Sequence, residues 1–130
     1  MKKKLASLGL SSAILLGAAV SGYAATYVAD TPLTGKSSES GRHGLGDGTR
    51  YLNANGKNDS GTVRVKKIVP YLPDSTVVSS TISSTDTISK KFTSVAKNAD
   101  DIGQSYYIQW SGKTNASKVI ANIKDTKDYE

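Results

Sequence analysis

From Thr62 onward, apolar and polar side chains alternate at period two, and this restricts the fold more than any other feature. Val63 and Val65 alternate with Arg64 and Lys66, as on a half-buried strand, and the run stops at Pro70-Tyr71-Leu72-Pro73-Asp74. Val77, Val78 and Ile82 lie in a Ser/Thr-rich stretch whose β-branched content favours strand. A short echo, Thr81-Ile82-Ser83-Ser84 and Thr87-Ile88-Ser89-Lys90, reads as a hairpin through Thr85-Asp86. Ile88, Phe92, Val95, Ala96 and Ala99 also fit a helical stripe with Asp86 as its cap. Thr87, Ser89, Thr93 and Ser94 are poor helix formers, which favours a strand over 88–95. Residues 97–103 read as a turn.

Ser105 to Trp110 is the strongest strand signal. Tyr106, Ile108 and Trp110 fall on one face, and Ser105, Tyr107 and Gln109 on the other. A hairpin connection over Ser111 to Asn115 leads to a last strand, with Val119, Ala121 and Ile123 facing one way. This pattern predicts an all-β chain: a small antiparallel β-sandwich or partly open barrel of about five to six strands.

The beginning of the chain has a different character. Lys2, Lys3 and Lys4 precede an uncharged apolar stretch, Leu5 to Val20, and Gly22-Tyr23-Ala24 offers small residues where a signal peptidase cuts. The sequence therefore predicts a signal peptide over 1–24, cleaved after Ala24. Its removal lowers the formal charge from +6 to +3 and leaves roughly 105 residues, the size of one domain. Residues 25–61 read as a polar Gly-rich arm. Within it, a first edge strand is expected around Tyr27 and Val28, ended by Pro32, and a short strand at Thr49 to Asn53. Between Gly35 and Gly61 the apolar side chains are Leu45, Tyr51, Leu52 and Ala54, too few to offset the entropy of ordering the segment. Residues 62–130 then form the antiparallel domain.

Cysteine is absent, which excludes disulfides, thiolate metal sites, a lipid-modified cysteine and a cysteine nucleophile. A cysteine-free exported chain with a Met-Lys-Lys-Lys start fits a Gram-positive bacterium, and the charged end, Lys124 to Glu130, does not read as a membrane anchor.

Candidate chemistry is sparse. His43 is the only histidine, and no Gly-x-Ser-x-Gly elbow accompanies it, so it reads as a solvated loop residue. Gly35-Lys36-Ser37 lacks the first glycine of a phosphate loop, and the glycines at 44, 46 and 48 lack the strand and helix of a dinucleotide site. Asp47, Asn53, Asn55, Asn58 and Asp59 supply oxygen atoms around Gly56, but with no EF-hand spacing and with Arg50 and Lys57 among them. No cofactor is expected. Arg64, Lys66 and Lys67 on one strand, and Lys90 and Lys91 on another, would form a cationic stripe if those strands were neighbours. The same lysines also serve to protect strand edges. Tyr106 and Trp110 share the face of Ile108 and belong to the core. Tyr107 is expected to be exposed as a ligand contact, and Tyr71, between two prolines, is expected to be exposed as well.

These residues point to a small secreted, non-enzymatic binding or structural protein of the bacterial cell surface. Its partners would be an anionic cell-wall polymer or a membrane surface, met through Arg64, Lys66, Lys67, Lys90, Lys91 and Tyr107. Nucleic acid binding would need stronger basicity and stacking aromatics on the same face. A secreted antibacterial or bacteriocin-like protein is the alternative, although no basic amphipathic helix is visible. A small hydrolase using His43 has least support.

Overall fold

A computed structural model describes residues 25–96 and 105–130. The expected leader over 1–24 and the expected turn over 97–103 lie outside the described residues. Eight strands are present among them: β1 Thr26–Thr34, β2 Ser38–Glu39, β3 Gly48–Asn58, β4 Gly61–Lys67, β5 Ser75–Ile82, β6 Thr87–Ser94, β7 Tyr106–Gly112 and β8 Lys118–Lys124. They form two antiparallel four-stranded sheets, in the orders β1-β8-β3-β6 and β2-β7-β4-β5. No helix occurs among the described residues. The all-β, antiparallel expectation holds, with eight strands rather than five or six. Residues 87–94 are strand, not helix.

Register fixes which side chains meet. In the first sheet Leu52 lies opposite Ile123, and Ala54 opposite Ala121. In the second, Val63 faces Trp110 and Val65 faces Ile108. These inner faces, with Val28, Leu33, Leu45, Ile82, Phe92, Tyr106 and Val119, make one sandwich-like core. Burying such side chains is worth about 1.5–3 kcal/mol each, the main favourable term for a chain with no covalent cross-link.

Three expectations need correction. The polar arm contains β3, which is paired on both sides, with β6 and with β8. Its inner face carries one large apolar side chain, Leu52, followed by Ala54 and Gly56, so the apolar signal is weak although the strand is central. A Cβ at Gly56 would overlap the Ser83 carbonyl oxygen. The missing side chain lets the β5–β6 connection lie against the strand, with Gly56 N–H donating to Asp86 O (2.7 Å) and Thr85 N–H to Gly56 O (3.1 Å). Secondly, neither expected hairpin forms. The link through Thr85-Asp86 and the one over 111–115 both carry the chain from one sheet to the other. The within-sheet hairpin that does form is β4–β5. Thirdly, β1 runs past Pro32 to Thr34; Pro32 sits on this edge strand opposite Ile120.

The sheet-to-sheet links brace one another at one end of the molecule. Lys113 N–H donates to Ser60 O (2.9 Å), Thr114 Oγ1 to Asp59 Oδ2 (2.8 Å), Asn58 Nδ2 to Ala116 O (2.9 Å), and Gly35 N–H to Ser117 O (2.8 Å). Hydrogen bonds from Thr114 and from the Ser60 backbone hold the Asp59 carboxyl below its ordinary value. The opposite end carries the Arg50 side chain, the β4–β5 turn, Val95 and the start of β1.

Candidate binding surface

Tyr107, on the outer face of the second sheet, was expected to be exposed but is only 3% so. Arg42 covers it, with the guanidinium carbon 4.4 Å from the ring centroid, and the phenol donates to Asp74 Oδ2 at 2.6 Å. Burial, then the bond to Asp74 and the nearby Asp74 and Glu39 charges, push the phenol up to about 12, against the opposing pull of Arg42. Tyr107 thus lies beneath Arg42 with its phenol tied to Asp74, which corrects the expected exposure.

Around it the face is polar. Arg64 lies opposite Gln109 on one side and Ser79 on the other, and Lys66 lies opposite Tyr107 and Thr76. Arg64 Nη1 donates to Ser111 Oγ (3.0 Å), and Lys66 Nζ to Thr76 Oγ1 (2.9 Å). Among the described residues the ion pairs are Arg42–Glu39 at 3.6 Å and Lys124–Asp128 at 2.8 Å. The charges of Arg64 and Lys66 therefore meet neutral partners.

The other predicted cations are dispersed. Lys67 ends β4, with its ammonium 6.0 Å from the Tyr106 ring centroid. It lines a cavity of about 270 Å³ with Ile68, Pro70, Ala96 and Ser105. Lys90 and Lys91 lie on β6, in the other sheet, so the single stripe does not form. Lys90 is opposite Leu52 yet exposed: a charge at an inner-face position of an edge strand, a known guard against edge pairing.

His43 exchanges backbone hydrogen bonds with Tyr106, at 2.7 and 3.0 Å, which extends the pairing beyond β2. The oxygen-bearing residues around Gly56 do not converge on one point. Asp47 accepts from Ala96 N–H, Asp59 from Thr114, and Asn53 belongs to a separate cluster. No group of three His, Cys, Asp or Glu side chains able to hold a metal occurs among the described residues.

Sequence reasoning missed two features. Arg50 is 9% exposed and donates to the carbonyls of Leu45, Asp47 and Thr49, with its guanidinium carbon 4.2 Å from the Tyr27 centroid. The tail after β8 folds over the outer face of the first sheet. There Asn53 donates to Asn122 (2.9 Å) and Thr126 O (3.1 Å), while Asn122 donates to Asp30 and Asp128 (both 2.8 Å). Asn53 and Asn122 on facing strands, both at outward positions, were the available signal. Comparison with protein-family models, with curated proteins and with solved structures returns no match.

Proposed function

We propose that this is an exported, non-enzymatic binding or structural protein of the bacterial cell surface, held on anionic envelope polymers by the outer face of its second sheet. The observation carrying this reading is the pair Arg64 and Lys66. They stand on one sheet face beside Gln109 and Ser111, bonded to hydroxyls rather than carboxylates. A phosphate-bearing polymer gains charge-assisted hydrogen bonds there without first breaking an ion pair. The broad polar face suits weak, repeated contacts. Lys67, Lys90 and Lys91 add general positive potential rather than a shared site.

The test is retention of the processed protein on purified polyglycerol-phosphate polymer. Replacing Arg64 and Lys66 together by glutamine should lower binding about ten- to thirty-fold, at about 0.7–1 kcal/mol per cation on an anionic surface. Binding by the unaltered protein should also weaken steeply with salt. Equal retention by both proteins at every salt concentration refutes the reading.

A further inference from the structure

The Pro70-Tyr71-Leu72-Pro73 turn is left unused by that reading, and it is unusual. Leu72 N–H donates to Val69 O at 3.2 Å, which closes a four-residue turn with Pro70 and Tyr71 at its centre. Proline holds the first central position at negative φ, while Tyr71 has φ of 65°, so the turn is of type II. That second position favours glycine or asparagine, because a Cβ there crowds the backbone. The chain nevertheless puts tyrosine there, and the ring makes no use of the fold: Tyr71 is 103% exposed and Leu72 66%. A strained backbone carrying a side chain that packs on nothing points to a role outside the molecule.

The placement is not isolated. Tyr71, Leu72 and Val95 are the exposed large apolar side chains among the described residues. All three lie at the same end of the sandwich, since Val95 N–H donates to Tyr106 Oη, and Tyr106 pairs with Lys67 at the foot of the turn. Lys66 and Lys67 are the last two residues of β4, directly behind the apex. Ala25, where the predicted leader joins the domain, also lies at this end, because its neighbour Thr26 pairs with Lys124 at the end of β8.

We propose that this turn is a membrane-interface anchor: Tyr71 and Leu72 enter the headgroup layer of an anionic bilayer, and Lys66 and Lys67 meet lipid phosphates behind them. Tyrosine with an adjacent leucine and flanking lysines matches the chemistry of that layer, polar at the ring tip and apolar below. A folded protein partner fits less well. The apex is convex, and one tyrosine covers about 150–250 Å², against about 800 Å² per partner in a stable protein interface. A fluid bilayer needs no matching surface. The contact is weak and reversible, and it shares Lys66 with the polymer reading but not Arg64.

The test is co-sedimentation of the processed protein with vesicles containing phosphatidylglycerol and with vesicles of phosphatidylcholine alone, using Tyr71→Gly, Tyr71→Gly with Leu72→Ser, and Arg64→Gln. Anionic vesicles should bind the unaltered protein, and neutral vesicles much less. The double variant should lose at least ten-fold in vesicle binding but keep its polymer binding, while Arg64→Gln should lower polymer binding about three- to five-fold and leave vesicle binding unchanged. Tyr71→Gly relieves the positive φ, so its melting temperature should stay level or rise as vesicle binding falls. The anchor is refuted if the unaltered protein ignores both vesicle types or binds them equally. It is also refuted if the double variant binds like the parent, or if Tyr71→Gly lowers the melting temperature.

Discussion

Arg50 and Tyr107 show how single side chains hold ground that a residue count assigns to solvent. Arg50 sits at the open end of the core, its guanidinium shared among three backbone carbonyls and a tyrosine face. Lysine has neither the plane nor the fork of donors. Arg50→Lys should therefore cost about 2–3 kcal/mol, the order of one charge-assisted hydrogen bond, as read by denaturant unfolding. Tyr107 makes a prediction of the opposite kind, in alkali. Its phenol is raised to about 12, above its ordinary value of 10.0, so the folded state keeps a proton that the unfolded chain gives up. That stabilisation is complete below the ordinary value and is lost as pH rises through the folded one. Tyr107→Phe should flatten the fall in stability across that interval, and tyrosinate absorbance should follow the late titration in the parent. The assignment of Tyr107 to the outer face was readable from period two alone. Its burial was not, because Arg42 and Asp74 come from distant loops.

At the level of elements, the tail after β8 works as a clamp. Asp128 accepts from Lys124 and Asn122, while its backbone N–H donates to Asn53 Oδ1. Burial pushes the Asp128 carboxyl up, but the bonds from Lys124 and Asn122 outweigh it and hold it below its ordinary value. A lowered carboxylate stabilises the fold above its ordinary value, and the effect disappears as pH falls through the lower folded one. Asp128→Asn should thus reduce the acid sensitivity of unfolding below about pH 4. Its cost at neutral pH should be about 1 kcal/mol or less, because the pair is partly open to water. Asp59 titrates in the same sense, so some acid sensitivity should remain. The strands 62–67, 106–112 and 118–124 were legible because bulky apolar side chains alternate there. Of β3, the stretch Thr49 to Asn53 was legible as a short strand, but its continuation to Asn58 was not, since alanine, glycine and asparagine carry little hydropathy and their burial comes from neighbours far along the chain. The hairpin expectations failed for a related reason: turn residues mark where a chain reverses but not which sheet it enters next.

For the molecule as a whole, the pairing order binds the early and late parts of the chain together. β6 and β8 both pair with β3, and β8 also pairs with β1. A chain starting at Thr62 keeps all the strong period-two signals but loses two of the four strands of one sheet. It should not fold: its amide spectrum should lack dispersion, and its circular dichroism should be that of a coil. Adding back residues 25–61 as a separate peptide should restore the sheet signal at high concentration. Because most pairings join distant segments, folding of the intact chain should be slow for its size, in the millisecond-to-second range typical of non-local β topologies.

Ala25 N–H donates to Asp125 Oδ1 at 2.9 Å, and Asp125 N–H returns a bond to Ala25 O at 3.1 Å. Scission after Ala24 would convert that amide into an α-ammonium beside a waiting carboxylate, so the act of maturation would itself create an ion pair. A one-residue ragged start at this point should then weaken the seam, and Asp125→Asn should erase the difference between the trimmed and ragged forms.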